Sequence, residues 1–366
     1  MLARFGMNMP STVRTLFGCV LAAFVLLAAA CGGGDTPTPT AVSSPTPAPA
    51  AIPTPTPDRI VTIAAVGDVM LGRNLVGWME QYGAFYPFER VAHLLRDADL
   101  TVANLEVALT ERGVAADKAY IFRTPPRFVG GLVEAGIDLV SLGNNHVADF
   151  GREGIEDTLA ALDEAGIRYA GAGLDDAAAH RPAIVEVEGL RIAFLSYTDI
   201  VQNTFSGPDT PGVALATREG IAADVRAARQ QADVVVVLLH SGLEYTRAPE
   251  PGQQGLARAA IDAGALLVLG HHPHVLQGWE RYGGGVIVYS LGNFVFDLEH
   301  DPRNLEARAF DTVVLYVTLT ADEVLEVRPE PVVIDLTEDR PRPATPEEAA
   351  AILERIEALN VIAGGS

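Results

Sequence analysis

Short apolar runs alternate with stretches of helical period along most of the chain. Ile60–Val66, Leu100–Ala103, Val234–Leu239, Leu266–Leu269 and Val286–Tyr289 are nearly uninterrupted in apolar character, as strands buried on both faces are, and Ile137–Leu142, interrupted by Asp138 and Ser141, predicts a further strand. Between them, helices are predicted over Pro87–Arg96, Arg127–Ala135, Gly151–Ala165, Glu219–Gln231 and Gly252–Ala263. In Gly151–Ala165 the apolar positions Ile155, Leu159 and Leu162 share one face, and Gly166 follows as a stop. Ala183–Val187 and Arg191–Ser196, joined across Glu188-Gly189-Leu190, predict a hairpin. Strands spaced by helices in this way predict a layered α/β domain. The longer, alternating runs Phe310–Leu319 and Val324–Ile334 predict antiparallel members, so the sheets are expected to be mixed. A last helix is predicted over Pro346–Ile356, capped by Thr345.

The amino terminus has a different character. Arg4 and Arg14 precede an apolar segment, Leu16–Ala30, that ends in Leu27-Ala28-Ala29-Ala30-Cys31. Fifteen apolar residues are too few for a comfortable membrane span and suit an export signal, with Cys31 as the lipid-modified residue of a bacterial lipoprotein. The leucine usual three residues before that cysteine is replaced by Ala28. An uncleaved signal anchor and cleavage without lipidation are the rivals, and all three place the body outside the cytoplasm. The expected organisation is an export signal (1–30), a Pro/Thr-rich tether (31–58), a folded domain (59–335) and a carboxyl-terminal linker and helix (336–366). Both cysteines, Cys19 and Cys31, precede the folded body, which therefore has no disulfide.

Charge narrows the partners. The chain carries 26 Lys and Arg against 47 Asp and Glu; without Arg4 and Arg14 the balance is 24 minus 47, or −23. A nucleic-acid surface needs clustered cations, so no nucleic acid is expected. An anionic polymer or phosphoester must instead meet a local positive centre.

Candidate chemistry sits where the apolar runs end. Gly67-Asp68 follows the first run, Asn104-Leu105-Glu106 the second, Gly143-Asn144-Asn145-His146 the third and His240-Ser241-Gly242-Leu243-Glu244 a fourth. The run ending at Leu269 leads into Gly270-His271-His272-Pro273-His274. His272 and His274, at i and i+2 on extended backbone, are expected to point the same way and His271 elsewhere. Each residue taken singly also fits a cap, a turn or a hydrogen-bonded loop histidine. Together, carboxylate, amide and imidazole donors without thiolate suit one or two divalent metals: Mn, Fe or Zn.

These motifs, with Tyr289-Ser290-Leu291-Gly292-Asn293-Phe294, resemble the bacterial capsule synthesis (CapA, poly-gamma-glutamate) family over roughly Ile60 to Pro331. That family is similar to calcineurin-like metallophosphoesterases, and the resemblance implies a four-layer α/β/β/α sandwich with mixed sheets and a two-metal site. It further implies metal ligation by Asp68, Glu106 as the bridging carboxylate, Asn145, His240, His272 and His274, with His146 facing the leaving group. Two positions depart from the phosphoesterase pattern. Met70 stands where the first motif has histidine, and Glu106 where the bridge is an aspartate.

Hydrolysis or transfer at a phosphoester or amide, using a metal-activated water, is the expected chemistry. Arg73 is a candidate grip for an anionic oxygen pair, or a solvated surface arginine. Glu244 is a candidate support for a ligand histidine or a substrate contact. Asn293 and Asp297 fit either the rim of the site or turn caps. The alternative is a non-catalytic accessory or polymer-binding component of a capsule export machine, partnered by membrane-bound synthesis or export proteins. A plain solute-binding lipoprotein is the third class.

Overall fold

In the computed structural model, residues 59–200, 205–298 and 302–363 are described; the expected export signal and tether lie outside these residues. Two mixed sheets dominate. Across the first, the strands run Arg340–Pro343, Val324–Asp335, Asp311–Leu319, Val61–Val69, Leu100–Leu105, Leu139–Ser141 and Arg168–Ala170, with Asn293–Val295 also pairing to Val61–Val69. Across the second they run Trp279–Tyr282, Gly285–Val288, Leu267–His271, Val234–His240, Leu190–Thr198 and Ala183–Val187.

Period-two alternation explains the layers. In the first strand Val61, Ile63 and Ala65 enter the core between the sheets, whereas Ala64 and Val66 face the opposite core. Val234, Val236 and Leu238 likewise enter the inter-sheet core, and Val235, Val237 and Leu239 face outward into a third cluster. The outer clusters are completed by helices: Leu75, Met79, Leu132, Ile155 and Leu162 on the first sheet, Ile221, Val225, Leu256 and Ala260 on the second. The result is the expected α/β/β/α sandwich, built because the central strands are apolar on both faces.

The Gly151–Ala165 helix has the expected bounds, and Gly166 ends it at φ 74°. The expected hairpin pairs Ala183–Val187 antiparallel with Leu190–Thr198. The helix expected over Pro87–Arg96 is instead a short 3-10 turn, Tyr86–Phe88, followed by a single turn at Ala92–Leu95. Between them Arg90 and Glu89 pair with Glu338 and Arg340 of the distant hairpin, which the local spacing does not foretell.

The described part of the expected carboxyl-terminal linker and helix, 336–363, packs on the sandwich. Arg340–Pro343 is an edge strand, where Pro341 and Pro343 are tolerated. The terminal helix, Pro346–Ala363, places Ile352, Ile356 and Leu359 in the inter-sheet core. Thr345 caps it as expected: Glu348 N donates to Thr345 Oγ1 at 3.3 Å, and Thr345 N donates to the Glu348 carboxylate at 2.8 Å.

Candidate metal centre

The site residues come from both sheets and meet at one edge of the sandwich. Asp68 lies near the end of Val61–Val69, opposite Asn104 in the parallel neighbour. Its strand can reach that position because Gly67 has no side chain: a Cβ there would sit 1.9 Å from the Gly292 carbonyl, and Asp68 N donates to that oxygen at 2.9 Å. Glu106 follows Leu100–Leu105 directly. His240 is the last residue of its strand, and His271 the last of the neighbouring one, in register with it.

Two groups of donors result. Glu106, His240 and His272 form one, and Asp68, Glu106 and His274 the other, each with ligand atoms within 4.8 Å of one another. Glu106 is common to both, as a bridging carboxylate must be. Asn145 joins the first group, its Oδ1 lying 2.7 Å from His240 Nε2. Asn104 ties the groups together: its nitrogen donates to Asp68 Oδ1 at 2.8 Å and lies 3.3 Å from His240 Nδ1. Asn144 in turn donates to Asn104 Oδ1 and accepts the backbone N–H groups of His146 and Val147, shaping the turn that presents Asn145 and His146.

The donors fit a divalent metal on chemical grounds. Asp68 Oδ2, Glu106 Oε1 and His272 Nδ1 are buried with no hydrogen-bond partner, although buried polar atoms are nearly always paired. Asp68 Oδ2 does lie 3.1 Å from His274 Nδ1, but that ring nitrogen is also 3.0 Å from Asn293 Oδ1 and has only one proton to give. Oxygen and imidazole nitrogen donors without sulfur suit the borderline and hard cations expected from the sequence.

Protonation follows from burial. His240 and His272 are held below the ordinary imidazole range, His272 at about 3, by burial and by neighbouring imidazoles. Neutral rings are the form that ligates. Burial and the adjacent Asp68 charge push the Glu106 carboxyl well above its usual range. Burial opposes the charge on Asp68 too, but His274 outweighs it and holds the carboxyl low. Despite the same burial, Glu106 and Asp68 hold His274 up at about 9.

The histidine pair reaches this geometry by a route other than the one expected. His272 and His274 are not on extended backbone: their φ angles are 95° and 59°. The rings lie 5.8 Å apart and serve different donor groups. Arg73 and Tyr245 also have positive φ, so four of the seven such non-glycine residues among those described lie at this site. Each costs about 1–3 kcal/mol, a concentration of strain typical of functional positions. His271 does point elsewhere, its Nε2 lying 3.3 Å from the Val66 carbonyl.

Met70 is excluded from the donors. Its side chain is fully buried in the outer core and its sulfur accepts Gly72 N at 3.0 Å, yet Asp68, Glu106 and His274 still converge without it.

A narrow cleft of about 40 Å³ opens beside the donors, lined by Arg73, Tyr120, Phe122, His146, Glu244, Tyr245, His274, Phe296, Arg303 and Asn304. The Arg73 guanidinium lies over the Phe122 ring at 4.7 Å, and Phe122 stacks on His146 at 4.0 Å. Asp149 fixes His146, its Oδ2 lying 2.8 Å from Nδ1, while Lys118 pairs with Asp149 from behind. This aims His146 Nε2 at the Glu106 carboxylate, 3.8 Å away. Burial holds His146 at about 4. Glu244 lines the cleft, but its partner is Arg303 at 3.7 Å rather than a ligand histidine. A larger cavity of about 880 Å³ lies elsewhere, against Glu111, Arg112, Arg127 and Asp157, whose charges pair with one another or with Glu80.

Asn293 and Asp297 are buried rather than on the rim. Asn293 holds the His274 ring, and Asp297 accepts Asn74 N at 3.3 Å. Asp149 and Lys118 carried no sequence signal beyond an acid three residues after His146.

The fold and donor set define an α/β/β/α sandwich with a candidate divalent-metal centre at its strand ends. The chain belongs to the bacterial capsule synthesis protein family PGA_cap, whose model matches residues 62–298. It is 37% identical over 246 residues to the capsule biosynthesis protein CapA of Bacillus anthracis, spanning 65% of this chain and 60% of that one. It is 35% identical over 291 residues to the PGA biosynthesis protein CapA of Bacillus subtilis, spanning 78% of this chain and 73% of that one. A 5'-nucleotidase precursor from Thermus thermophilus superposes with a TM-score of 0.46 at 13% identity, covering 82% of this chain and 59% of that chain.

Proposed function

We propose that this protein is an extracytoplasmic, metal-dependent hydrolase or transferase acting on phosphoester or amide bonds of an anionic, poly-gamma-glutamate-like polymer during capsule synthesis. The observation that carries this reading is Glu106, a buried carboxylate shared by two three-donor groups beside a cleft that holds His146 and Arg73. Asp68, Glu106, Asn145, His240, His272 and His274 would hold one or two divalent cations, which lower the pKa of water and offset negative charge developing on a phosphoryl or carbonyl oxygen. The chain's own residues do the rest. His146, neutral and fixed through Nδ1 by Asp149, orients a water or takes a proton at Nε2 and returns it to the leaving group. Arg73, held against Phe122 in the cleft, binds an anionic oxygen. Glu244 and Arg303 form an exposed pair at the mouth, where substrate charge is met.

Export and lipidation at Cys31 would set the body on the outer side of the membrane, among membrane-bound capsule synthesis and export proteins. The capsule and PGA biosynthesis roles in the names of the Bacillus relatives support the polymer assignment.

Met70, withdrawn into the core, favours a second reading: an accessory component that binds polymer without turning it over. Metal analysis of the purified protein, with assays on phosphodiester and gamma-glutamyl substrates, separates the two. A hydrolase is expected to contain divalent metal and to lose turnover in Asp68→Ala and His240→Ala. A folded, metal-replete protein inert towards both substrate classes overturns the enzymatic reading.

A further inference from the structure

The cleft beside the metal donors is too small for a substrate. At about 40 Å³ it holds roughly one water molecule, whose share of the liquid is about 30 Å³, so a substrate reacting there extends into a neighbouring space. A recess of about 390 Å³ adjoins it, lined by Tyr245, Arg247, Arg303, Glu306 and Ala307. Tyr245 and Arg303 line both spaces. The Tyr245 ring lies 6.1 Å from the His274 ring, which brings one wall of the recess against a candidate ligand. That wall is fixed: Tyr245 N donates to the Pro273 carbonyl at 2.8 Å, the Arg303 guanidinium covers the Tyr245 ring at 4.6 Å, and Arg303 pairs with Glu244 at 3.7 Å. Arg247 and Glu306 differ. Both are exposed, and neither forms a hydrogen bond or ion pair with a described residue, although they line one recess.

We propose that this recess binds the zwitterionic amino-terminal unit of a gamma-linked glutamyl chain, its alpha-carboxylate on Arg247 and its alpha-ammonium on Glu306; the inference rests on the polymer reading of the metal cleft. The opposed charges carry the assignment. A guanidinium alone takes any carboxylate, but a carboxylate in the same lining repels a ligand that is only anionic. Interior units of a gamma-linked chain are of that kind, because each nitrogen is tied up in an amide and only the alpha-carboxylate is charged. The first unit alone carries an ammonium group on the carbon that bears the carboxylate. Two methylenes separate that carbon from the gamma-amide, so the rest of the chain runs on from the recess along the wall of Tyr245 and Arg303 that both spaces share.

Isothermal titration of the intact protein with tri-gamma-glutamate and with its N-acetylated form tests this, in chelator so that no metal-dependent turnover intervenes. The free peptide is expected to bind saturably, about tenfold or more tighter than the acetylated one, which has lost the ammonium charge. Glu306→Gln is expected to erase that preference, and Arg247→Gln to weaken binding of the free peptide about tenfold. Both side chains are exposed, so neither variant threatens the fold. No saturable binding of the free peptide overturns the inference, as does equal affinity for the two peptides or a preference that survives Glu306→Gln. Equal affinity in a protein that turns over gamma-glutamyl substrates once metal is restored sinks the recess alone and leaves the hydrolase reading standing. Preferential binding of the free peptide by a metal-replete protein without turnover supports the recess and sinks the hydrolase.

Discussion

The Asn293 amide oxygen lies 3.0 Å from Nδ1 of His274, and its nitrogen donates to the His274 and Ala309 carbonyls, each at 3.2 Å. One buried amide thus sets both the ring and the backbone of a candidate ligand. Asn293→Ala strands the two carbonyls, costing about 1–3 kcal/mol by urea unfolding. It also frees the ring to turn, and calorimetric titration should show divalent-metal affinity falling about 10–100-fold. Unchanged metal affinity with the same loss of stability would assign Asn293 to structure alone.

Glu106 is expected to trade stability for metal binding. Burial and the Asp68 charge disfavour its ionised form, and Oε1 has no hydrogen-bond partner. Glu106→Gln removes that buried charge, so the metal-free protein should gain about 1–3 kcal/mol at neutral pH. The same variant should lose most of the rise in melting temperature that Mn or Zn gives the parent, since one shared donor serves both groups. A metal-free variant less stable than its parent would show that the attraction between Glu106 and the His274 imidazole outweighs the cost of burying the carboxylate.

A third expectation concerns pH. His180 Nδ1 lies 2.7 Å from Asp224 Oδ2, which also accepts the Tyr197 hydroxyl at 2.9 Å. The hydrogen bond to Asp224 outweighs burial and raises the His180 pKa above its ordinary 6.5. A raised imidazole pKa gives stability that is fully present below the unfolded value and lost as pH rises through the folded one. The stability difference between the parent and His180→Asn should therefore be greatest near pH 6, about 1 kcal/mol, and should shrink above about pH 7. A difference that grows with pH would show that the ring is neutral in the native state.

Legibility in the sequence tracked how local each cause was. Asp68, Glu106, His240 and His272 end apolar runs, and parallel strand pairing aligns such ends whatever the loops do. The helix at Asn74–Tyr82 was missed because Leu75 and Met79 are its only fully buried side chains, Gly77 weakens it, and Arg73 supplies no side-chain cap. The positive φ at His272 and His274 was illegible because no glycine marks it. Asn104 and Asn293 were generic amides until the fold placed them beside Asp68 and His274.

Two glycines at one contact should behave differently. A Cβ on Gly67 would lie 1.9 Å from the Gly292 carbonyl oxygen and 2.8 Å from its carbon, both backbone, so the strand carrying Asp68 must move. A Cβ on Gly292 meets its nearest atoms at 3.3 Å and instead forces a side chain into φ 69°. Gly292→Ala should cost about 1–2 kcal/mol and keep metal binding. Gly67→Ala should cost about 3 kcal/mol or more and displace Asp68 from Glu106 and His274, so that metal no longer raises the melting temperature even in material that folds. Equal costs for the two variants would mean that the backbones of the first strand and the Ser290–Asn293 turn are not locked together, and the placement of Asp68 would then need another cause.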